Sequence, residues 1–206
     1  MRVLIVDDHR IVASGCRALF ADDPEIDVVE ASDAESGERV FGEQNPDICV
    51  LDINLPTVSG FELARRLLGR DASARIIMFS MNEDPVFAAR AIDIGAKGFV
   101  SKTGDPQDLV EAIREVGKGG VYLPPAIAQS IAFAGPAFAR SPLTKLTARE
   151  MEILRLLSAG KCLSEIAWMI HSSYKTVANT SSIMRHKLGV RTSAELVRLA
   201  IDNGVA

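Results

Sequence analysis

Apolar residues follow two different rhythms along this chain. In the first half, short uninterrupted runs at Val3–Val6, Ile48–Leu51, Ile76–Phe79 and Gly98–Val100 lack the alternation of half-exposed strands. Runs of this kind predict strands buried on both faces of a parallel sheet. A weaker run, Asp27–Glu30, predicts another strand. Between the runs lie helical patterns with start signals: Ser32 three residues before Glu35, Asp84 ahead of Pro85, and Asp105 ahead of Pro106 with Asp108 in the next turn. Strand and helix therefore alternate, which calls for an α/β fold: a doubly wound five-stranded parallel sheet. Right-handed crossovers favour the flavodoxin-like order 2-1-3-4-5.

From Lys118 to Ser141 glycine and proline accumulate, at Gly119, Gly120, Pro124, Pro125, Gly135 and Pro136, with Pro142 just beyond. This marks a connector at 119–141 between a domain at 1–118 and another at 142–206. A short helix, about Pro125–Phe133, is expected inside it, and its Ala, Ile and Phe content predicts packing on one domain. After Ser141 the rhythm is helical throughout. Thr147 and Glu150 form a capping box ahead of Met151, Ile153, Leu154, Leu156 and Leu157, and that helix ends near Gly160. A short helix at about Leu163–Ile170 follows, then Ser173 caps a longer one to about Leu188 with Gly189 as its stop. Thr192 and Glu195 open a last helix that ends by Gly204. Four helices with a tight turn between the second and third make a helix-turn-helix domain.

Composition adds charge to this outline. The 206 residues are 48% hydrophobic and 24% charged, enough for two cores. The net charge of −4 divides unequally: residues 1–118 hold 13 Lys+Arg against 22 Asp+Glu, a net −9, while 119–206 hold 10 against 5, a net +5. A small basic half gains from counterion release on nucleic acid, which the acidic half cannot do. Cys16, Cys49 and Cys162 show no paired spacing, which argues against a disulfide framework or a zinc site and for a reducing cytoplasm. The first apolar run is too short for a signal peptide and no stretch approaches ~20 apolar residues, so a cytoplasmic protein without membrane contact is expected.

In a parallel sheet, ligands bind beyond the carboxyl ends of the strands at the switch point. Asp7 and Asp8 follow strand 1, Asp52 ends strand 3, Ser80 ends strand 4 and Lys102 follows strand 5. Three carboxylates held this close repel one another unless a hard divalent cation neutralises them, and Mg²⁺ with oxygen ligands fits. A carboxylate also accepts a phosphoryl group as a nucleophile, with Mg²⁺ and an ammonium spreading the charge of the transferring oxygens; Lys102 supplies that ammonium.

With Val-Asp-Asp after strand 1, Leu-Asp-Ile-Asn-Leu-Pro around Asp52, Phe-Ser at Ser80 and Lys-Gly-Phe-Val-Ser-Lys ending at Lys102, residues 1–118 resemble a two-component receiver domain. The resemblance implies that Asp52 is the phosphoacceptor, that Asp7, Asp8, Asp52 and the backbone carbonyl of Asn54 hold Mg²⁺, and that Lys102 contacts the phosphoryl group. It also implies that Ser80 and Phe99 are switch residues, the phosphoryl oxygens drawing the Ser80 hydroxyl inward and opening space for the Phe99 ring. Thr103 stands where many receivers have proline.

From Leu146 on, Leu-Thr-Ala-Arg-Glu-Met-Glu-Ile-Leu, Glu-Ile-Ala, Lys-Thr-Val and Lys-Leu-Gly-Val resemble the LuxR-type helix-turn-helix of NarL/FixJ-family response regulators. The resemblance implies a recognition helix from about Tyr174 to Leu188, a dimer face on the last helix at Leu196, Leu199 and Ala200, and a sensor histidine kinase as phosphodonor. The recognition segment offers Lys175, Thr176, Asn179, Thr180, Ser181, Ser182, Arg185 and Lys187 to double-stranded DNA. Ala178 and Thr180 stand where many relatives carry lysine and histidine. Base readout is therefore expected from Asn179, Thr180 and Ala178, with Lys175, Arg185 and Lys187 on phosphates. His171 and His186 read as solvated surface residues, and Trp168 and Met169 as packing of the small core or its edge.

Together these readings describe a transcription factor in which phosphorylation of Asp52 controls homodimerisation and sequence-specific DNA binding; it is no enzyme beyond Mg²⁺-dependent gain and loss of its own phosphoryl group. A phosphohydrolase of the haloacid dehalogenase type is disfavoured because Asp7-Asp8-His9 lacks the spaced Asp-x-Asp such enzymes need. Nucleotide binding is disfavoured because no glycine-rich turn follows strand 1. A receiver-controlled protein-binding module with little DNA contact is the alternative, supported by Ala178 and Thr180.

Overall fold

The computed structural model describes every residue except Asn82, Asp84, residues 135–141, Gly204 and Ala206, and the backbone alone of Phe133, Ala134, Thr144, Lys145 and Ala148. The start signal at Asp84, the connector residues Gly135, Pro136 and Ser141, and the stop at Gly204 lie outside the described residues. The chain divides into two compact units, Met1–Gly135 and Pro136–Ala206.

In the first unit, β1 (Arg2–Val6), β2 (Asp27–Ala31), β3 (Ile48–Asp52), β4 (Ile76–Ser80) and β5 (Gly98–Ser101) form a parallel sheet in the order β2-β1-β3-β4-β5. The helices α1 (Arg10–Leu19), α2 (Ala34–Gln44), α3 (Gly60–Arg70), α4 (Pro85–Asp93) and α5 (Pro106–Gly117) fill the crossovers. Successive strand residues point to opposite faces. Val3, Ile5, Val50, Ile77, Phe79 and Val100 thus meet Cys16 and Phe20 of the α1 region and Leu109, Ile113 and Val116 of α5. The intervening Leu4, Val6, Cys49, Leu51, Met78 and Phe99 are buried on the other face, where α2, α3 and α4 pack. Burial pushes the thiols of Cys16 and Cys49 up to about 11 and about 12, which leaves them unreactive.

Two local details set the rim of the sheet. Register pairs Asp52 with Phe79 and Ser80 with Ser101, so the carboxyl ends of β3, β4 and β5 lie level. Gly60 opens α3 so close to β3 that a Cβ there would sit 1.9 Å from the Asp52 carbonyl oxygen, and only glycine fits. Of the helix starts, Asp105 caps α5 by accepting from the Gln107 N–H at 2.8 Å. The cap of α2 is Asp33, which accepts from Ser36 at 2.8 Å, one residue beyond the expected Ser32.

The chain beyond α5 stays with this unit. Tyr122 runs parallel to β5, receiving the Phe99 N–H at 3.0 Å and donating to the Lys97 carbonyl at 2.9 Å. Its phenol donates to Asp108 Oδ1 at 3.0 Å. Helix α6 (Pro125–Ala134) then packs on α4 with Ile127 buried.

The second unit opens with a 3-10 turn, Pro142–Lys145, and continues with α7 (Ala148–Ser158), α8 (Leu163–Met169), α9 (Tyr174–Leu188) and α10 (Ser193–Asp202). Leu146, Met151, Leu154, Ile166, Val177, Met184, Leu196 and Ala200 form its core. Thr147 and Glu150 cap α7 reciprocally, Ser173 caps α9, and Gly189 ends α9 at φ 71°, a left-handed position that glycine takes at little cost. Leu196 and Ala200 have no exposed surface, because α10 turns this stripe onto α7. They are core residues, which corrects their expected place on a dimer face.

Candidate functional site

The turn after β1 bends back on itself, Asp7 Oδ1 accepting the His9 N–H at 2.9 Å. That contact fixes Asp7 inward, with its side chain buried, and leaves Asp8 on the surface. Asp52, buried at the end of β3, accepts the Asn54 N–H on Oδ1 at 3.1 Å. Lys102 comes from the far end of β5, and only 3% of its side chain is exposed. Its ammonium lies 2.7 Å from Asp7 Oδ2 and 2.9 Å from Asp52 Oδ2. Lys102 N–H also donates to the Ser80 carbonyl at 2.7 Å, which ties the β5 end to the β4 end. Ser80 is fully buried beside them. Four of the residues named from sequence, Asp7, Asp52, Ser80 and Lys102, thus meet at the rim, with Asp8 and Asn54 exposed at its mouth.

Electrostatics leave this cluster short of positive charge. Burial raises the Asp52 carboxyl above its ordinary range, with Asp7 pushing the same way; Lys102 and the Asn54 N–H oppose the rise without cancelling it. Asp7 Oδ2 is buried and makes no hydrogen bond of acceptable geometry, so the nearby ammonium is its charge partner alone. Asp7, Asp8, His9 and Asp52 each offer a ligand atom within 4.8 Å of the others. A buried carboxylate oxygen without a hydrogen bond beside three more ligand atoms is a donor set that suits a small hard cation. His9 was not singled out from sequence, yet its Nδ1 stands 2.9 Å from Asp8 Oδ1; its place one residue after the acidic pair was the available signal.

Phe99 is fully buried on the α4 side of the sheet, opposite Met78 in register. The inward turn expected of its ring therefore has no outward starting position here. Thr103, in place of the common proline, joins a hydrogen-bonded group with Ser101 and Glu83.

In the second unit, α9 presents Lys175, Asn179, Ser182 and His186 on one exposed stripe, at successive spacings of four, three and four residues. Tyr174 and Thr176 are exposed at its start, while Ala178 and Thr180 are half-buried, the Thr180 hydroxyl donating to the Thr176 carbonyl at 2.9 Å. Three expectations need correction. Lys187 points away from the stripe and places its ammonium 2.8 Å from each carboxylate oxygen of buried Glu150. Arg185 is half-buried, with Nη1 directed to the Arg191 carbonyl at 3.4 Å, and Ser181 is buried. Trp168 is 80% exposed and Met169 is exposed as well, so of the two places expected for them, inside the small core or over its edge, the first is excluded. On α10 the outward surface carries Arg198 and Ile201, with Val197 and Leu199 half-buried.

Comparison with known proteins agrees with this two-part arrangement. Residues 3–114 match the response regulator receiver domain, and residues 144–200 match the luxR family of bacterial regulatory proteins. The transcriptional regulatory protein UhpA of Escherichia coli (strain K12) is 35% identical over 202 residues, which cover 97% of each chain. A crystal structure of a LuxR-family two-component response regulator from Aurantimonas sp. SI85-9A1 superposes with a TM-score of 0.61 at 42% identity, covering 64% of this chain and 95% of that one. RcsB from Salmonella enterica serovar Typhimurium, bound to a promoter in the presence of phosphomimetic BeF3⁻, superposes with a TM-score of 0.61 at 27% identity over 97% of each chain.

Proposed function

The chain belongs to the response regulators that join a receiver domain to a LuxR-type regulatory domain, and from that premise we propose that a sensor histidine kinase phosphorylates Asp52 and so controls homodimerisation and binding to double-stranded promoter DNA. The domains are taken as 1–118 and 142–206, with a connector at 119–141 whose Tyr122 and α6 pack on the first of them, and the protein as cytoplasmic. No helix among the described residues is long and apolar enough to cross a membrane.

The observation that carries the reading is the Lys102 ammonium held between the buried carboxylates of Asp7 and Asp52. Asp52 Oδ1 is steadied by the Asn54 N–H, which leaves a carboxylate oxygen to attack phosphorus while the donor's P–O or P–N bond breaks and the leaving group departs with its electrons. Lys102 then stands beside the new phosphoryl oxygens, and the Ser80 hydroxyl is the nearby donor whose reorientation reports the modification. Asp7, Asp8, Asp52 and the Asn54 carbonyl would hold Mg²⁺, with His9 at its edge; the ion neutralises charge on the carboxylates and on the transferring group. Through this pocket the protein governs only its own phosphorylation and dephosphorylation.

For the second unit, Lys175, Thr176, Asn179, Ser182 and His186 are the side chains that reach the major groove. The homodimer forms through Val197, Leu199, Arg198 and Ile201 of α10. The exposed Trp168, together with the inward Lys187 and Arg185, favours a second reading in which this unit docks on a protein with little DNA contact.

Labelling with acetyl phosphate and Mg²⁺ tests the first unit: the wild type is expected to acquire one phosphoryl group and Asp52→Asn none. Stable labelling of the Asn variant would overturn the assignment. Retention on promoter DNA tests the second, since DNA binding weakens steeply with salt and a protein-docking module shows no such slope.

A further inference from the structure

The loops that follow β4 and β5 are joined by a polar contact outside the phosphoryl pocket. Ser101 Oγ and Thr103 Oγ1 each lie 2.8 Å from the same oxygen, Glu83 Oε1, and 2.8 Å from one another. The Thr103 N–H also donates to Ser101 Oγ at 3.1 Å. The two hydroxyl hydrogens serve two of these three contacts at a time, and an ionised carboxylate, which only accepts, is the partner that suits both of them pointing at Glu83 Oε1. Hydrogen bonds from Thr103, then Ser101, favour that form by holding the Glu83 carboxyl below the usual range.

The placement of this contact is informative. Lys102 lies between Ser101 and Thr103 in the chain and reaches the opposite way, into Asp7 and Asp52, while both neighbours reach Glu83. Glu83 in turn follows Ser80 by three residues in the loop after β4. The two non-acidic side chains of the pocket, Ser80 and Lys102, are therefore carried by the two segments that Glu83 ties together, alongside the backbone bond from Lys102 to Ser80. A proline at position 103 would have no hydroxyl and no N–H for this contact, so the tie belongs to this chain's own sequence.

We propose that Glu83, acting through Ser101 and Thr103, is a positioning residue for phosphoryl transfer to Asp52, a role that rests on the phosphoacceptor reading of Asp52. It holds the Lys102 ammonium and the Ser80 hydroxyl at the spacing that a phosphoryl group between them requires. Small losses of alignment at a reacting centre cost large factors in rate.

The test uses the full chain, acetyl phosphate and Mg²⁺, with the labelling rate followed against donor concentration. Thr103 and Glu83 are exposed, so their substitution leaves the core intact. Thr103→Val is expected to lower the saturating rate about tenfold with little change in the half-saturating concentration. Thr103→Ser restores the rate to within about twofold of wild type. Glu83→Ala is expected to cost at least as much, because it releases Ser101 as well as Thr103, and Glu83→Ala combined with Thr103→Val is no slower than Glu83→Ala alone. Wild-type rates in Thr103→Val, or additive losses in the double variant, overturn the role of Glu83 while leaving Asp52 as phosphoacceptor. Failure of the wild type itself to label through Asp52 overturns the underlying reading instead.

Discussion

Lys187 on α9 and Glu150 on α7 form a two-pronged ion pair, one ammonium 2.8 Å from both carboxylate oxygens, at the base of the helix meant to face DNA. Glu150 is buried and also receives the Thr147 N–H at 2.7 Å, so the pair holds α7, its cap and α9 together. Lys187→Met is therefore expected to destabilise the second unit by about 2 kcal/mol, because it leaves a buried carboxylate without its cation. The salt slope of DNA retention should stay at the wild-type value. Lys175→Met should do the reverse, keeping stability and lowering that slope by about one. Thermal melts and retention measured across a salt series separate the two cases.

Asp52 makes the first unit sensitive to pH in a direction opposite to that of most carboxylates. Burial raises its carboxyl in the folded state, so ionisation costs folding free energy. That cost is absent in acid, below the ordinary carboxylate range, and complete once pH passes the raised value. Asp52→Asn is expected to raise the melting temperature at neutral pH by roughly 2–4 °C. The gain should vanish near about pH 3, where the wild-type carboxyl is protonated in both states. Equal melting temperatures at neutral pH would mean that Lys102 offsets the burial in full.

Thr57, in the loop between Asp52 and α3, has φ 70°, a left-handed conformation that a β-branched residue adopts only under strain. Thr57→Gly is expected to stabilise the first unit by about 1 kcal/mol in urea unfolding. Labelling of Asp52 should be unaffected, since among the described residues Asp52 is held by Lys102 and the Asn54 N–H and not by Thr57. A loss of stability would show that the Thr57 side chain outweighs its backbone strain.

On α10 the buried and exposed stripes separate folding from assembly. Leu196→Ala empties a fully buried core position and should cost about 3 kcal/mol of stability in the second unit. Ile201→Asp changes an exposed position, so stability should hold while the phosphorylated dimer weakens at least about tenfold. Sedimentation of the labelled protein reads the second effect, and an unchanged dimer would place the interface off α10.

The sheet was legible because strands buried on both faces leave unbroken apolar runs, and the strand ends that bear Asp7, Asp52, Ser80 and Lys102 follow from those runs. Partners distant in sequence were less legible. Lys187 announces a cation, but nothing near it in the chain names Glu150, so sequence alone points its ammonium at phosphate. The apolar stripe of α10 says that Leu196 and Ala200 are covered without saying by what. For Trp168, residue type gives size and hydrophobicity but not the direction of its helix face, so the sequence alone does not separate the core from its edge. The shift from Ser32 to Asp33 at the cap of α2 reflects two adjacent residues with equal capping chemistry. Tyr122 left no trace at all, since its pairing with β5 uses backbone groups that every residue carries.

That pairing has a practical consequence for dissecting the protein. Strand edges with open backbone donors and acceptors recruit other strands, and here Tyr122 takes up the groups of Lys97 and Phe99 on the outer margin of β5. A fragment cut at residue 118 would bare that margin and the α4 surface under α6, inviting edge-to-edge association through β5. One carried through Ala134 keeps its own cover.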